Sequence, residues 1–288
     1  MTGLNLVGTM LASPESRPCG LCGQFRRPTR AHVPPQVAGN TSLVLRAADV
    51  IDASGTRKPG RWTGGGMWVR GLCSDCNNLA GRTYDKAYAD FTAQVARLST
   101  PIARFLQIIP GEAPGVFFAP ALVAKCVLIG MFGIHPRLRL ILPDLAHDLV
   151  HDVDQVRWPD RVALRVGRTH PAAANLGLLS SGIWMMQVLQ ERVVHFSFAD
   201  VVFPPLAWFL SPNESPAGLG PQITGPLLDA SDWIRYSPER TAVDLRSLTP
   251  TFPAVLHPML GPSQDSWVEL LTRDGTDADA VVVFGRIP

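Results

Sequence analysis

The chain has 288 residues, of which 46% are hydrophobic and 17% charged, and a formal net charge of +2. That is apolar material for a sizeable buried core, in a length that suits one or two domains. The overall charge singles out no partner. Four of the five cysteines fall in Cys-x-x-Cys pairs, which speaks against a disulfide scaffold and for metal ligation in a reducing cytoplasm. The distribution of charge is less even than its sum: residues 1–90 carry 11 Lys and Arg against 6 Asp and Glu, and residues 91–288 carry 15 against 18. The basic, cysteine-bearing end favours a polyanionic partner, although such an excess is also ordinary for a protein surface.

Residues 1–18 read as a flexible lead-in of Ser, Pro and Gly, without the basic start and apolar run of a secretion leader. LVLRAADVID (43–52) predicts a strand and a turn, GTRKPGRWTGGG (55–66) a flexible basic loop, and GMWVRGLC (66–73) a second strand. A helix is predicted from Cys76 to about residue 107, because Tyr84, Tyr88, Phe91, Val95 and Leu98 recur on one helical face, with Pro101 as a kink or an end. IIPGEAPG (108–115) reads as a linker, so a first unit spans 19–105 and a second spans 115–288. In the second unit PALVAKCVLIGMFGI predicts a buried helix, interrupted by Lys125 and therefore no membrane span. DLAHDLVHDVD (144–154) predicts a short polar helix, and RVALRVGR (161–168) a strand. SGIWMMQVLQ and RVVHFSFADVVF predict paired strands with a turn near Glu191. PPLAWFL suits a helix or an extended segment, residues 211–226 a loop, and ADAVVVFGRIP a final strand. The expected class is α+β, a small N-terminal module followed by a larger mixed domain.

The module carries the chemistry. Cys19-Gly-Leu-Cys22 and Cys73-Ser-Asp-Cys76 each place two thiolates on one side of a tight turn, and four thiolates close a tetrahedral structural zinc site. Gly20 and Gly23 ease the first turn, and a helix opening at the second pair favours the anionic cluster. A knuckle, an irregular hairpin, a second pair and a helix follow the treble-clef order. Cys126, inside an apolar helix, reads as inert core.

Taken together, CGLCG, RAHVPP, Gly39-Asn40 and LCSDCNNLAG resemble the zinc-containing branch of the HNH endonuclease superfamily, over about residues 15–95. The resemblance implies a metal-dependent endonuclease that hydrolyses phosphodiester bonds of DNA or RNA. It makes His32 the general base, a role suited to imidazole. It makes Asn77, after the last cysteine, a ligand of a catalytic magnesium or manganese, and Asn40 the residue that orients the loop and His32. One position departs from the pattern. The family carries Asp, Glu or His immediately before the general base, whereas this chain has Ala31 after Arg30. Asp85 on the helix, or Asp49 or Asp52 in the hairpin, is then the substitute carboxylate. Asn78, Arg82 and Asp85 share one helical face, which is either functional or simply solvated. Arg26, Arg27, Arg30 and Arg82 are candidate nucleic-acid contacts, with Arg57, Lys58 and Arg61 beside them. Trp62 and Trp68 either stack on bases or pack against the hairpin.

The alternative is a catalytically inactive zinc module for nucleic-acid or protein recognition, which Ala31 favours. Residues 115–288 would then carry partner specificity or self-association, or be the functional domain with the zinc unit as a cap. His147 and His151 stand at i, i+4, but read as part of an exposed polar helix rather than a metal site. His195 fits a packed strand position, while His135, His170 and His257 neighbour prolines and read as turn residues. There is no phosphate-binding glycine loop and no Gly-x-Ser-x-Gly elbow.

Overall fold

The computed structural model describes residues 16–42, 44–46, 61–98, 115–152, 154–169, 176–188, 191–213, 227–235, 239–248, 250–251 and 283–286. The N-terminal part is a set of two-residue and three-residue ribbons. β1 (Arg17–Pro18) pairs with β2 (Phe25–Arg26) across the first cysteine turn, where Gly23 N–H donates to the Cys19 carbonyl at 2.9 Å. Gly23 has φ 73°, a left-handed conformation that favours glycine. β3 (Ala31–His32), β4 (Val44–Arg46), β5 (Arg61–Thr63) and β6 (Trp68–Val69) form two nested antiparallel pairs, β3 with β6 and β4 with β5. Residues 61–63 are therefore strand rather than part of the predicted loop. Asp49, Asp52, Arg57 and Lys58 lie outside the described residues.

The predicted long helix is two. α1 (Ser74–Thr83) starts two residues before Cys76, and α2 (Asp85–Leu98) follows after a break at Tyr84. The polar run Asn77-Asn78 through Gly81-Arg82-Thr83 offers no continuous apolar face to propagate the first helix, and Asp85 suits the positive start of the second. The apolar stripe is as the spacing predicts: Tyr84, Tyr88, Phe91 and Val95 are all buried.

β7 (Gly115–Phe118) then leads into α3 (Pro120–Ile134), with Pro120 in the first turn, where its missing N–H costs nothing. Every residue of α3 except Leu122 is buried, which explains why no single apolar face is visible in its sequence. α4 (Leu138–Ile141) and α5 (Pro143–His151) follow. The polar character predicted for α5 is only skin-deep. Asp148 turns inward, where both its carboxylate oxygens accept from the Arg157 guanidinium at 2.9 Å, holding it well below the usual carboxylate range.

The larger sheet is built from β8 (Val162–Thr169), β9 (Leu176–Val188), β10 (Glu191–Phe203), β11 (Leu206–Pro212), β12 (Leu228–Asp229), β14 (Pro250–Thr251) and β15 (Val283–Arg286). Its order is β12-β8-β11-β10-β9-β15, antiparallel throughout, with β14 added in parallel to β8. β9 and β10 are the predicted hairpin, and PPLAWFL resolves as the extended strand β11. A separate strand, β13 (Thr241–Asp244), pairs with β7. The architecture is mixed α+β. No helix among the described residues is long and apolar enough to cross a membrane.

Residues 101–114, where a boundary is expected, lie outside the described residues, but the parts on either side share one hydrophobic cluster. Phe91 of α2 stacks on Phe118 at 4.5 Å, and Trp233 meets both Phe118 at 4.7 Å and Trp208 of β11 at 5.7 Å. Glycines bring the cysteine turns against α3. A Cβ on Gly71 would stand 1.9 Å from the Gly133 carbonyl oxygen, and one on Gly20 would stand 2.2 Å from that of Phe132. Gly71→Ala is accordingly expected to lower stability by roughly 1–3 kcal/mol, read as a fall in Tm. Gly64→Ala, whose added Cβ would meet nothing within 4 Å, should leave Tm close to wild type.

Candidate metal centre and adjoining cavity

The two cysteine turns converge. The Sγ atoms of Cys19, Cys22, Cys73 and Cys76 all lie within 4.8 Å of one another, and those of Cys22 and Cys73 are 3.8 Å apart. Tetrahedral zinc with Zn–S bonds of about 2.3 Å sets its sulfurs about 3.8 Å from each other. This is the only such group of three or more His, Cys, Asp or Glu ligands among the described residues. The donor set is all sulfur, which suits a borderline-soft ion such as zinc. Cys73 caps α1, and its backbone N–H donates to the Cys19 sulfur at 3.3 Å. The Cys76 thiol also donates to Cys19, which lowers the Cys19 pKa, while the same contact pushes that of Cys76 up. Four sulfurs this close cannot all be anionic without a cation among them.

β3 continues from this cluster to His32, whose Nε2 stands 2.9 Å from the Gly65 carbonyl oxygen. A carbonyl only accepts, so in the neutral ring Nε2 carries the proton and Nδ1 keeps the basic lone pair. The Gly64-Gly65-Gly66 run is what makes this contact. Gly65 and Gly66 adopt φ 87° and 78°, and a Cβ on Gly66 would stand 2.0 Å from the Asn40 carbonyl oxygen. What reads in sequence as a loose loop is a shaped support for the imidazole.

Asn40 is buried beneath it. Its side-chain amide donates to the carbonyls of Pro34 at 2.6 Å and Met67 at 2.7 Å, and its Oδ1 accepts from the Met67 N–H at 2.6 Å. It joins the segment after His32 to the start of β6 and does not touch the cavity described below, so it is a positioning residue. Asn40→Ala removes the partners of the Pro34 carbonyl and the Met67 N–H, while the Met67 carbonyl keeps the Val33 N–H, and should cost at least about 2 kcal/mol, measurable by denaturant unfolding.

A cavity of about 460 Å³ opens beside His32. α1 and the start of α2 contribute Asn77, Asn78, Arg82 and Asp85 to its wall, so the candidate residues of the helix face do meet the candidate base. The Asn77 amide donates to the Arg30 carbonyl at 3.1 Å. Asp85 is half-buried, and burial raises its carboxyl above the usual range, against the Cys126 thiol, 3.6 Å from its Oδ1. Cys126 is thus not merely core: it sits on the cavity wall, its own thiol pushed up by burial and by Asp85. The floor comes from the other part of the chain, with Val127 and Ile129 from α3 and Val201 from β10. No local sequence pattern brings these together; only the packing of α3 against the cysteine turns does.

The remaining candidates stand elsewhere. Arg26 pairs with Asp75 at 2.5 Å, Arg27 is exposed, and the Arg30 guanidinium lies 4.6 Å from the centre of the Trp68 ring. None of the three lines the cavity. Trp68 itself is buried, and the Trp62 and His195 side chains lie outside the described residues, as do His170 and His257. His135 Nδ1 contacts the Phe198 carbonyl at 2.8 Å. The His147 and His151 rings lie 4.8 Å apart on an exposed helix face; Asp148 Oδ1 is 3.5 Å from His147 Nδ1 but is held by Arg157, and the three do not form a metal-ligand group among the described residues.

Comparison with protein-family models, with curated proteins and with solved structures finds no match to this chain.

Proposed function

We propose that the chain is an HNH-like, metal-dependent endonuclease built on a treble-clef zinc scaffold. One observation carries this reading: His32, fixed through Nε2 by the Gly65 carbonyl, shares one cavity with Asn77, Arg82 and Asp85, directly beside the four-cysteine cluster. In the reaction the Nδ1 lone pair of His32 accepts a proton from water as the water oxygen bonds to phosphorus and the bond from phosphorus to the leaving ester oxygen breaks. The departing oxygen takes its proton from solvent. Arg82 offers charge to the phosphate. The cavity provides one carboxylate, Asp85, and one amide, Asn77. That is a minimal donor set for magnesium or manganese, which commonly takes one or two carboxylates and completes its shell with water and substrate phosphate. When bound there, such an ion supplies charge neutralisation at the phosphate and the leaving oxygen. Zinc, held by four sulfurs and so without an open position, is structural.

The test is cleavage of DNA and RNA with magnesium or manganese, by wild type and by His32→Ala. Activity that needs the divalent ion and is lost in the variant, at unchanged zinc content, supports the proposal. No cleavage of either polymer by zinc-loaded wild type rejects it. A second reading, a non-catalytic zinc module that binds nucleic acid or protein, rests on Ala31. That residue is 2% exposed and paired with Val69, so a methyl group stands where the resemblance expects a metal ligand. Under that reading wild type binds without cutting, and His32→Ala changes binding little.

A further inference from the structure

We propose that the cavity beside His32 receives one unpaired nucleobase of a nucleic-acid strand, so that the chain acts on a nucleotide drawn out of the base stack. The inference rests on the nuclease reading and names its substrate class. Contact with a phosphate backbone needs only a charged surface, yet this site is a concavity of about 460 Å³, within the roughly 300–1,000 Å³ of pockets that enclose small molecules. A nucleobase has flat apolar faces and a hydrogen-bonding edge. The cavity has the matching character, with an apolar floor of Val127, Ile129 and Val201 and polar Asn78 and Asp85 in the wall from α1 and α2. Arg82, exposed on the same wall, suits the phosphate that follows the base.

Gly81 adds an independent observation. It lies inside α1 and lines the cavity, although glycine weakens a helix interior relative to alanine. Nothing in its packing requires the missing side chain: an added Cβ would approach only Asp85 Oδ2, at an ordinary 3.7 Å, and its φ is not left-handed. Gly130 in the opposite wall is different, because a Cβ there would press on Val33 at 2.9 Å. What Gly81 preserves is open space on the wall that carries Arg82 and Asp85, and a large side chain at 81 fills it without disturbing the backbone.

The experiment measures binding of a short oligodeoxynucleotide carrying 2-aminopurine, single-stranded or fully paired, in buffer without magnesium or manganese. Zinc-loaded wild type should bind the single strand at least about tenfold more tightly than the duplex, with a rise in 2-aminopurine emission as the base leaves its stack. Gly81→Leu should weaken single-strand binding about tenfold and abolish that rise, at unchanged zinc content and with a Tm no lower than that of wild type. Ala80→Leu, from the same wall, should likewise weaken single-strand binding and abolish the rise, with Tm measured alongside because Ala80 packs partly against the core. Single-strand binding and emission unaltered in both variants would overturn the proposal, as would a free deoxynucleoside monophosphate competing as well as the strand. If wild type cleaves duplex with no preference for unpaired sites, the base pocket fails while the nuclease reading stands. If it neither binds nor cleaves any nucleic acid, both fail together.

Discussion

Cys76→Ser is expected to abolish zinc binding at the four-cysteine cluster and, with it, the cooperative thermal transition. Cys76 is buried in the first turn of α1, within 4.8 Å of the three other sulfurs. A serine hydroxyl is not a thiolate, so the substitution leaves three sulfurs around the ion. Structural zinc supplies about 10–16 kcal/mol of apparent folding free energy in zinc-finger peptides, comparable with the whole stability of a typical domain, about 5–15 kcal/mol. The short ribbons around the cluster, two or three residues each, cannot replace that contribution. Metal content by elemental analysis and a melt followed by circular dichroism will read the effect, and a strong chelator added to wild type should reproduce it. A Cys76→Ser protein that melts like wild type would show that the four thiols pack together without an ion.

His32→Ala is the second large effect. Loss of a positioned general base typically costs about 10²–10⁴-fold in rate, and under the proposed role of His32, acting on water rather than holding the substrate, that loss should appear in kcat. The four-cysteine cluster does not include His32, so metal content should be unchanged. Imidazole added to the medium should restore part of the rate, because it can enter the cavity the side chain has left. Asp85→Asn provides the contrasting result: the concentration of magnesium or manganese needed for half-maximal rate should rise, since a carboxylate holds a hard cation better than an amide. Equal rates for wild type and His32→Ala would remove His32 from the chemistry.

The features legible in the sequence were those set by local spacing. Two Cys-x-x-Cys turns bring four sulfurs together because each pair is fixed within its own turn. The stripe from Tyr84 to Val95 is buried because helical periodicity alone decides which face those residues share. The break at Tyr84 was hidden, since the stripe continues across it. The site was legible only on one side. His32, Asn77, Arg82 and Asp85 were identifiable from the hairpin and the helix, whereas Val127, Ile129 and Val201 reach the cavity only through tertiary packing. Cys126 gave no signal at all: its neighbour Asp85 is 41 residues away. Gly65 and Gly66 looked like slack chain because composition does not distinguish flexibility from a left-handed backbone.

The contact of Gly20 and Gly71 with the carbonyls of α3 leaves the cysteine-bearing portion with no outer skin on that side. Backbone meets backbone there, with no side chain between the cysteine turns and the helix. Loss of an ion from the four sulfurs is therefore expected to loosen the packing against the helix that floors the cavity as well. Metal loading and occupancy of the cavity should then rise and fall as one property.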